Sequence, residues 1–259
     1  MSDWNAQQYD SFATLRQQAA HDLLAAVPAE SIEAISDLGC GSGISTALLA
    51  QRWPDAAIIG VDQSPDMLAT AATRVPSARF LQGDIADFSA PESQDLIFAN
   101  ASLHWLADHR QLFPALVNQL RPGGMLAVQM PNTLPEASHR LMGEVASRAD
   151  FAQHLGEMNT HRETLLNPNE YYDCLTPNCA AVTIWETHYY HVLDGPSDIL
   201  RWFSSTALKP YLDMLPAHKR EDFSHQYLSE LIRVYPPQAD GKVLLRLPRL
   251  FIVAFRSAS

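Results

Sequence analysis

The chain has 259 residues, 47% of them hydrophobic and 18% charged, with a net charge of −11 and a pI near 5.3. That is enough chain for one large core, and it offers no basic stripe for nucleic-acid phosphates or an anionic membrane. Three cysteines are too few for a disulfide framework, "MSDWNAQQYDSF" lacks a secretory pattern, and no apolar run approaches about 18 residues, so a reduced, cytoplasmic protein is expected.

In chain order, "TLRQQAAHDLLAAV" (14–27) spaces Leu15, Ala19, Leu23 and Val27 as a helix would, and stops before Pro28. "AISDLG" (34–39) reads as a strand, 43–53 as a helix stopped by Pro54, and "AAIIGVD" (56–62) as a second strand. Ser64 and Pro65 supply an N-cap and a first-turn proline for a helix running to Arg74. "ARFLQGD" (78–84) and "DLIFAN" (95–100) are the third and fourth strands. "DHRQLFPALVNQL" (108–120) is a helix capped by Asp108, and "RPGG" turns into a fifth strand, "MLAVQM" (125–130). Alternating strand and helix predict an α/β fold: a doubly wound, Rossmann-like, mainly parallel sheet whose ligand crevice lies at the strands' carboxyl ends.

The second half changes character. Residues 133–177 read as helical with breaks at Pro135, Pro168 and Pro177, and "AVTIWETHYYHVL" (181–193) alternates as a long strand. Residues 196–235 are helical again, broken at Pro210 and Pro216. "KVLLRLPRLFIVAFR" (242–256) is a closing strand in which Pro248 suggests an edge or a bulge. The expected whole is a single domain with a seven-stranded sheet, its last two strands antiparallel. Its core covers about 30–132, 178–193 and 242–257, with helical lid insertions at about 133–177 and 194–241.

The chemistry starts at "DLGCGSG" (37–43). A dinucleotide fingerprint, G-x-G-x-x-G, would need its third glycine at position 44, where this chain has Ile44. The spacing here is G-x-G-x-G behind Asp37, which resembles the first motif of class I S-adenosylmethionine-dependent methyltransferases. Bare glycines would let backbone pass under the cofactor's methionine part without Cβ clashes. The resemblance implies a cofactor site made of Asp37, Gly39, Gly41, Gly43, Asp62, Gln63, Asp84, Ile85 and Asn100. Asp62 would accept from the ribose hydroxyls, a feature shared with nicotinamide enzymes. Asp84 would face the adenine amino group, the Ile85 amide the ring, and the Asn100 carbonyl the ammonium group.

The stretch that would face the methyl acceptor, "NASLHWL", lacks the N/D-P-P-Y/F/W pattern of enzymes acting on exocyclic amines or glutamine side chains. Over nearly the whole chain the sequence resembles the bacterial trans-aconitate methyltransferases, through "WNAQQYDSF", "FANASLHWLADH", "LRPGGMLAVQMP", "SSTALKPYLDML" and "VLLRLPRLFIVA". That resemblance implies methyl transfer from S-adenosylmethionine to a carboxylate of trans-aconitate, with S-adenosylhomocysteine as product. A carboxylate of pKa near ~4 is already ionised at neutral pH, so no obligatory acid or base is expected. His104 and Trp105 would position the reactants. Tyr9, Arg16, Arg201, Lys209, Tyr211, Arg246 and Arg249 are the candidates for holding a tricarboxylate, since arginine forks and hydroxyls suit planar carboxylates.

No metal is expected: His188 and His191 fall on opposite faces of their strand, and "CLTPNC" has no matching partners. Three other readings stay open on the residues alone. They are a related O-methyltransferase for another small acid or hydroxyl, a non-catalytic S-adenosylmethionine-binding module, and a nicotinamide dehydrogenase. The expected partner is a small-molecule tricarboxylate, with no nucleic acid and no membrane, and the oligomeric state is left open.

Overall fold

The computed structural model describes residues 13–28, 31–155 and 165–258. The first half runs α1 (Ala13–Ala26), β1 (Ala34–Leu38), α2 (Ile44–Arg52), β2 (Ala57–Asp62), α3 (Pro65–Arg74), β3 (Arg79–Gln82), β4 (Gln94–Asn100), α4 (His109–Val117) and β5 (Leu120–Pro131). The second half runs α5 (Ala137–Ala146), α6 (Ala149–Leu155), α7 (Pro168–Leu175), β6 (Cys179–Leu193), α8 (Pro196–Ser204), α9 (Lys209–Met214), α10 (Ala217–Val234) and β7 (Val243–Arg256). The seven strands form one sheet in the order β3-β2-β1-β4-β5-β7-β6. Strands β1 to β5 pair in parallel and β7 is antiparallel to β5, so the α/β class and the antiparallel C-terminal addition are as the sequence predicts. Among the described residues no helix is long and apolar enough to cross a membrane.

The chain divides into two compact units. One comprises Arg16–Pro131, Leu165–Thr187 and Arg249–Ser259; the other is the described parts of Met1–Leu15, Asn132–Thr164 and His188–Pro248. The segment containing α7 therefore groups with the first unit, where the sequence reading placed 133–177 in a helical insertion.

In the first unit every residue of β1 is buried, as expected of a central parallel strand covered on both faces. Leu38, Val61, Ile97, Phe113, Leu126, Tyr171, Leu175 and Ile252 belong to one apolar cluster, which draws α4 and α7 onto the sheet. Polar ties fix the strands: Ser36 Oγ donates to Gln94 Oε1 at 2.9 Å, and Asp95 Oδ2 accepts from the amides of Glu33 and Ala34, each at 2.9 Å. Arg52 donates to the carbonyls of Leu24 and Val27 and lies over the Trp53 ring, tying α2 to the end of α1.

Local chemistry explains most boundaries. Ser64 caps α3 by accepting from the Met67 amide at 3.3 Å, with Pro65 at the first helical position. Three expectations need correction. Asp108 stands at the N-cap of α4 but in a left-handed conformation (φ 51°), and its side chain makes no capping bond there. The "RPGG" turn lies inside β5 as a bulge: Gln94 pairs with Leu120 and Leu96 with Met125, so residues 121–124 loop out between the pairs. Pro248 is not on an edge strand, because β7 lies between β5 and β6. The β5–β7 Cα pairs run to Pro131 with Arg249, and beyond them Pro248, which has no N–H to give, only accepts, from the Asn132 amide at 3.0 Å.

The second unit has its own core. Leu141, Phe151, Trp202, Phe203, Phe223, Tyr227 and Leu231 are all buried in one cluster drawn from α5, α6, α8 and α10. The Tyr227 hydroxyl, buried with them, donates to the Ser138 carbonyl at 3.0 Å, which satisfies it in an otherwise apolar setting. Pro210 falls in the first turn of α9 and Pro216 at the N-cap of α10, so both prolines begin helices.

Candidate active site

At the carboxyl end of β1 the chain turns through Gly39, Gly41 and Gly43, all left-handed at φ 71°, 52° and 79°. The three glycines serve different ends. A Cβ on Gly39 would collide with Ser102 Cβ at 2.2 Å, and one on Gly43 would press on Ala71 at 3.0 Å. A Cβ on Gly41 would meet no atom of the described residues within 4 Å, so this glycine borders open space. The Gly39 and Cys40 amides both donate to the Val61 carbonyl, at 2.8 and 3.0 Å, which pins the loop to β2.

Acidic side chains complete the loop. Asp62 Oδ2 accepts from the Gly41 amide and Oδ1 from the Ser64 amide, each at 2.9 Å, and the carboxylate keeps lone pairs for further donors. Asp37 is fully buried; its Oδ2 accepts from the Ser45 and Thr46 hydroxyls, each at 2.7 Å, and Oδ1 has no partner among the described residues. Burial raises its carboxyl to about 6, with the two hydroxyls pulling the other way and the Asp62 charge adding to the rise. Burial also pushes the Cys40 thiol well above its ordinary range, with Asp37 and Asp62 adding to the effect, so it is a poor nucleophile.

The next strands carry the remaining predicted groups. Gln63 is exposed, and its carbonyl accepts from Gln82 Nε2 at 3.2 Å. Asp84 caps a short 3-10 turn, Ile85–Asp87, accepting from the Ala86 amide at 2.9 Å, while Ile85 is buried. After β4 the chain bends at Ala101 (φ 54°), whose amide donates to the Gln129 carbonyl at 2.9 Å. Ser102 donates to the Leu38 carbonyl at 2.6 Å, tying this bend to the glycine loop. His104 is buried, Trp105 is 61% exposed, and their ring centroids lie 4.8 Å apart.

Four features lie outside the residues the sequence singles out. Ser102 occupies the room left by Gly39. His109 Nε2 is 2.9 Å from the Leu103 carbonyl, which it can only meet as a donor; Nδ1 therefore accepts from the Tyr171 hydroxyl at 2.6 Å. That buried pair braces the turn carrying His104 and Trp105. The fourth is Gln129, fully buried on β5, with neither amide atom partnered among the described residues. Asn100 Oδ1, on the paired residue of β4, is likewise buried and unpartnered. Each such orphan costs about 1–3 kcal/mol. The signal was visible as a lone amide inside the apolar run "MLAVQM".

The acceptor candidates are more dispersed. Arg249 lies on β7 opposite Pro131 in the first unit. Arg201, Lys209, Tyr211 and Arg246 belong to the second. Arg201 pairs with Asp198 within α8, Lys209 pairs with Asp213 at 2.5 Å, and Tyr211 stacks on Phe223 with centroids 5.9 Å apart. Arg246 has Nη1 3.6 Å from Glu136 and Nη2 3.3 Å from His188 Nε2, while its Nε is buried and unpartnered among the described residues. His188 is exposed and His191 buried, as alternation predicts. Tyr9 lies outside the described residues, as does the side chain of Arg16.

A parallel sheet with an antiparallel seventh strand, entered through a left-handed glycine turn after β1, defines a class I methyltransferase fold, and a methyltransferase domain family matches residues 35–124. Trans-aconitate 2-methyltransferases match almost end to end. The protein of Rhodopseudomonas palustris (strain BisB5) is 45% identical over 256 residues, 99% of this chain and 100% of the relative. That of Methylobacterium nodulans is 48% identical over 257 residues, again 99% and 100%. That of Yersinia pestis (strain Pestoides F) is 46% identical over 254 residues, 98% of each. The chain belongs to the trans-aconitate 2-methyltransferase family.

Among solved structures, the YcgJ protein of Bacillus subtilis superposes with a TM-score of 0.61 at 16% identity, covering 94% of this chain and 100% of that one. Phosphoethanolamine N-methyltransferase 2 of Haemonchus contortus, in complex with phosphomonomethylethanolamine and S-adenosylhomocysteine, gives 0.54 at 17% identity, covering 93% and 52%. At these identities the likeness is one of fold.

Proposed function

We propose that this protein methylates a carboxylate of trans-aconitate with S-adenosylmethionine, giving a monomethyl ester and S-adenosylhomocysteine. The observation that carries the reading is the near-complete alignment with trans-aconitate 2-methyltransferases at 45–48% identity.

The residues suit the cofactor. The open side of Gly41 lets backbone approach the methionine part, Asp62 has acceptor capacity left for ribose hydroxyls, and Asp37 Oδ1 and Asn100 Oδ1, which have no partner among the described residues, can accept from a donor or face a cation. Asp84 and Ile85 take the adenine end, with Gln63 beside the ribose. Bound there, S-adenosylmethionine supplies a methyl on a sulfonium: an oxygen–carbon bond forms to the carboxylate, the carbon–sulfur bond breaks with its electron pair left on sulfur, and no proton moves.

The protein's share is therefore alignment and exclusion of water. An ionised carboxylate needs no general base, and opposite charges cancel along the path. His104 and Trp105 border the transferring methyl. Arg246 leads the carboxylate-holding groups because its buried Nε–H has no partner among the described residues, with Arg201, Lys209, Tyr211, Arg249, Tyr9 and Arg16 as the remaining candidates. The partner is a small tricarboxylate, and a cytoplasmic location accords with three cysteines that stand unbridged.

The test offers trans-aconitate, cis-aconitate, citrate and isopropylmalate separately, follows S-adenosylhomocysteine release, and identifies products by mass spectrometry. A monomethyl ester of trans-aconitate, formed well ahead of the others, is the expected result. No turnover with trans-aconitate, in protein that binds S-adenosylmethionine, refutes the acceptor.

A further inference from the structure

We propose that the side-chain amide of Gln129 is a specificity-determining contact for the methyl acceptor, its Nε2 donating to an acceptor carboxylate beside the position of methyl transfer. This rests on the function proposed above and adds a residue to it.

Paired residues of neighbouring strands direct side chains to the same face, and alternate residues along a strand share a face. Asp37 pairs with Phe98, Asn100 lies two residues beyond Phe98, Asn100 pairs with Gln129, and Gln129 pairs with Phe251. Asp37, Asn100, Gln129 and Phe251 thus form a row across one face, near the carboxyl ends of β1, β4 and β5. Three members of that row carry buried polar atoms with no partner among the described residues: Asp37 Oδ1, Asn100 Oδ1, and both Oε1 and Nε2 of Gln129. Outside the row, the Nε of Arg246 is also buried with no partner among the described residues. A folded protein satisfies nearly all its buried polar groups, so a row of exceptions marks where a ligand completes the set.

The order of strands says which ligand. Strands stand about 4.8 Å apart. Asp84 after β3, Asp62 on β2 and the glycines after β1 suit the adenine, ribose and methionine parts in turn. Gln129 lies on β5, two strand positions beyond β1 and past Asn100 on β4. The next group along the row is the acceptor. Trp185 stacks on Phe251 with centroids 4.8 Å apart and planes within 9°, so the far flank is an aromatic wall.

An amide suits this role better than an arginine would. A neutral N–H orients a carboxylate oxygen without cancelling the charge that makes it nucleophilic. It is also far cheaper to bury dry than a guanidinium, and a dry position is what a desolvated carboxylate requires.

The apolar isostere Gln129→Met separates this role from a structural one. Removing an unsatisfied amide should leave the unliganded protein equally or more heat-stable. The KM for trans-aconitate should rise tenfold or more, with the Kd for S-adenosylmethionine, by calorimetry, unchanged within twofold. Gln129→Asn, which withdraws the amide by one methylene, should shift KM the same way if the methionine variant fails to fold. An unchanged KM in either folded variant overturns the proposal, and so does an equal loss of cofactor affinity, which would give the amide to the cofactor. Wild-type protein that releases no S-adenosylhomocysteine with trans-aconitate refutes the acceptor reading, and the role of Gln129 falls with it. An active wild type with an unchanged KM in the variants refutes the role of Gln129 alone.

Discussion

Gly39 and Ser102 occupy one another's space: a Cβ on Gly39 would lie 2.2 Å from Ser102 Cβ, and the Ser102 hydroxyl donates to the carbonyl of Leu38, next to Gly39. Gly41, two residues on, faces no atom within 4 Å among the described residues. Alanine should therefore separate the two glycines. Gly39→Ala combines left-handed strain with overpacking and should cost about 2–5 kcal/mol of stability. Gly41→Ala carries only the strain, about 1–2 kcal/mol, but should raise the Kd for S-adenosylmethionine at least tenfold. Thermal denaturation and calorimetry on both variants check this; equal destabilisation, or full cofactor affinity in Gly41→Ala, contradicts it.

Asp62 has two tasks, because its oxygens hold the Gly41 and Ser64 amides before any ligand arrives. Asp62→Ala should lose both the ribose contacts and the preformed loop. Charge-assisted hydrogen bonds are worth roughly 1.5–3 kcal/mol, so cofactor affinity should fall tenfold or more. The melting temperature should fall too. Lost affinity with unchanged stability would mean that the two amide bonds contribute little to the loop.

Much of this was legible in the sequence, and the limits have physical reasons. "DLGCGSG" announced its turn because only glycine accepts left-handed backbone cheaply, and Ser64-Pro65 marked a helix start through local chemistry. The position of Pro248 inside the sheet was hidden, because strand order is set by long-range pairing that no local pattern records. Tyr171 and His109 escaped notice for the same reason: they lie 62 residues apart and meet only in the folded unit. Gln129 was visible as a misplaced amide, but its lack of partners among the described residues is a property of packing.

Tyr171 should matter through His109 rather than through any ligand. Its hydroxyl supplies the proton that leaves His109 Nε2–H committed to the Leu103 carbonyl, next to His104. Tyr171→Phe leaves a buried imidazole nitrogen without its donor and should cost about 1–3 kcal/mol. The kcat should fall while cofactor Kd is kept, and His109→Gln should reproduce the kcat loss. A variant as active and stable as wild type would show that the turn needs no brace.

The arginines can be ranked. Arg201 and Arg246 are each partly exposed and each paired with an acid, Asp198 and Glu136, but only Arg246 has a buried Nε with no partner among the described residues. Arg246→Ala should raise the KM for trans-aconitate tenfold or more, and Arg201→Ala less than threefold. Initial-rate kinetics at saturating cofactor decide it; the reverse order would move the carboxylate-holding role to α8.

Asp37 makes the protein's stability depend on pH in an unusual sense. Its carboxyl is raised from 3.8 to about 6 by burial, so the native state holds a proton that the unfolded chain has released. The associated stability is fully present below pH 3.8 and is lost as pH rises through about 6, the reverse of a salt-bridged aspartate. The loss amounts to on the order of 3 kcal/mol, at about 1.36 kcal/mol per unit. The stability difference between wild type and Asp37→Asn should therefore change by about 2 kcal/mol between pH 4 and pH 7 in denaturant titrations, with wild type relatively weaker at the higher pH. A bound sulfonium and ammonium would favour the ionised form, so S-adenosylmethionine should bind wild type more tightly as pH rises from about 5 to 7, and Asp37→Asn with no such trend. Affinity that is flat with pH in wild type would place the Asp37 carboxylate out of electrostatic reach of the cofactor, leaving it only the Ser45 and Thr46 hydroxyls to hold.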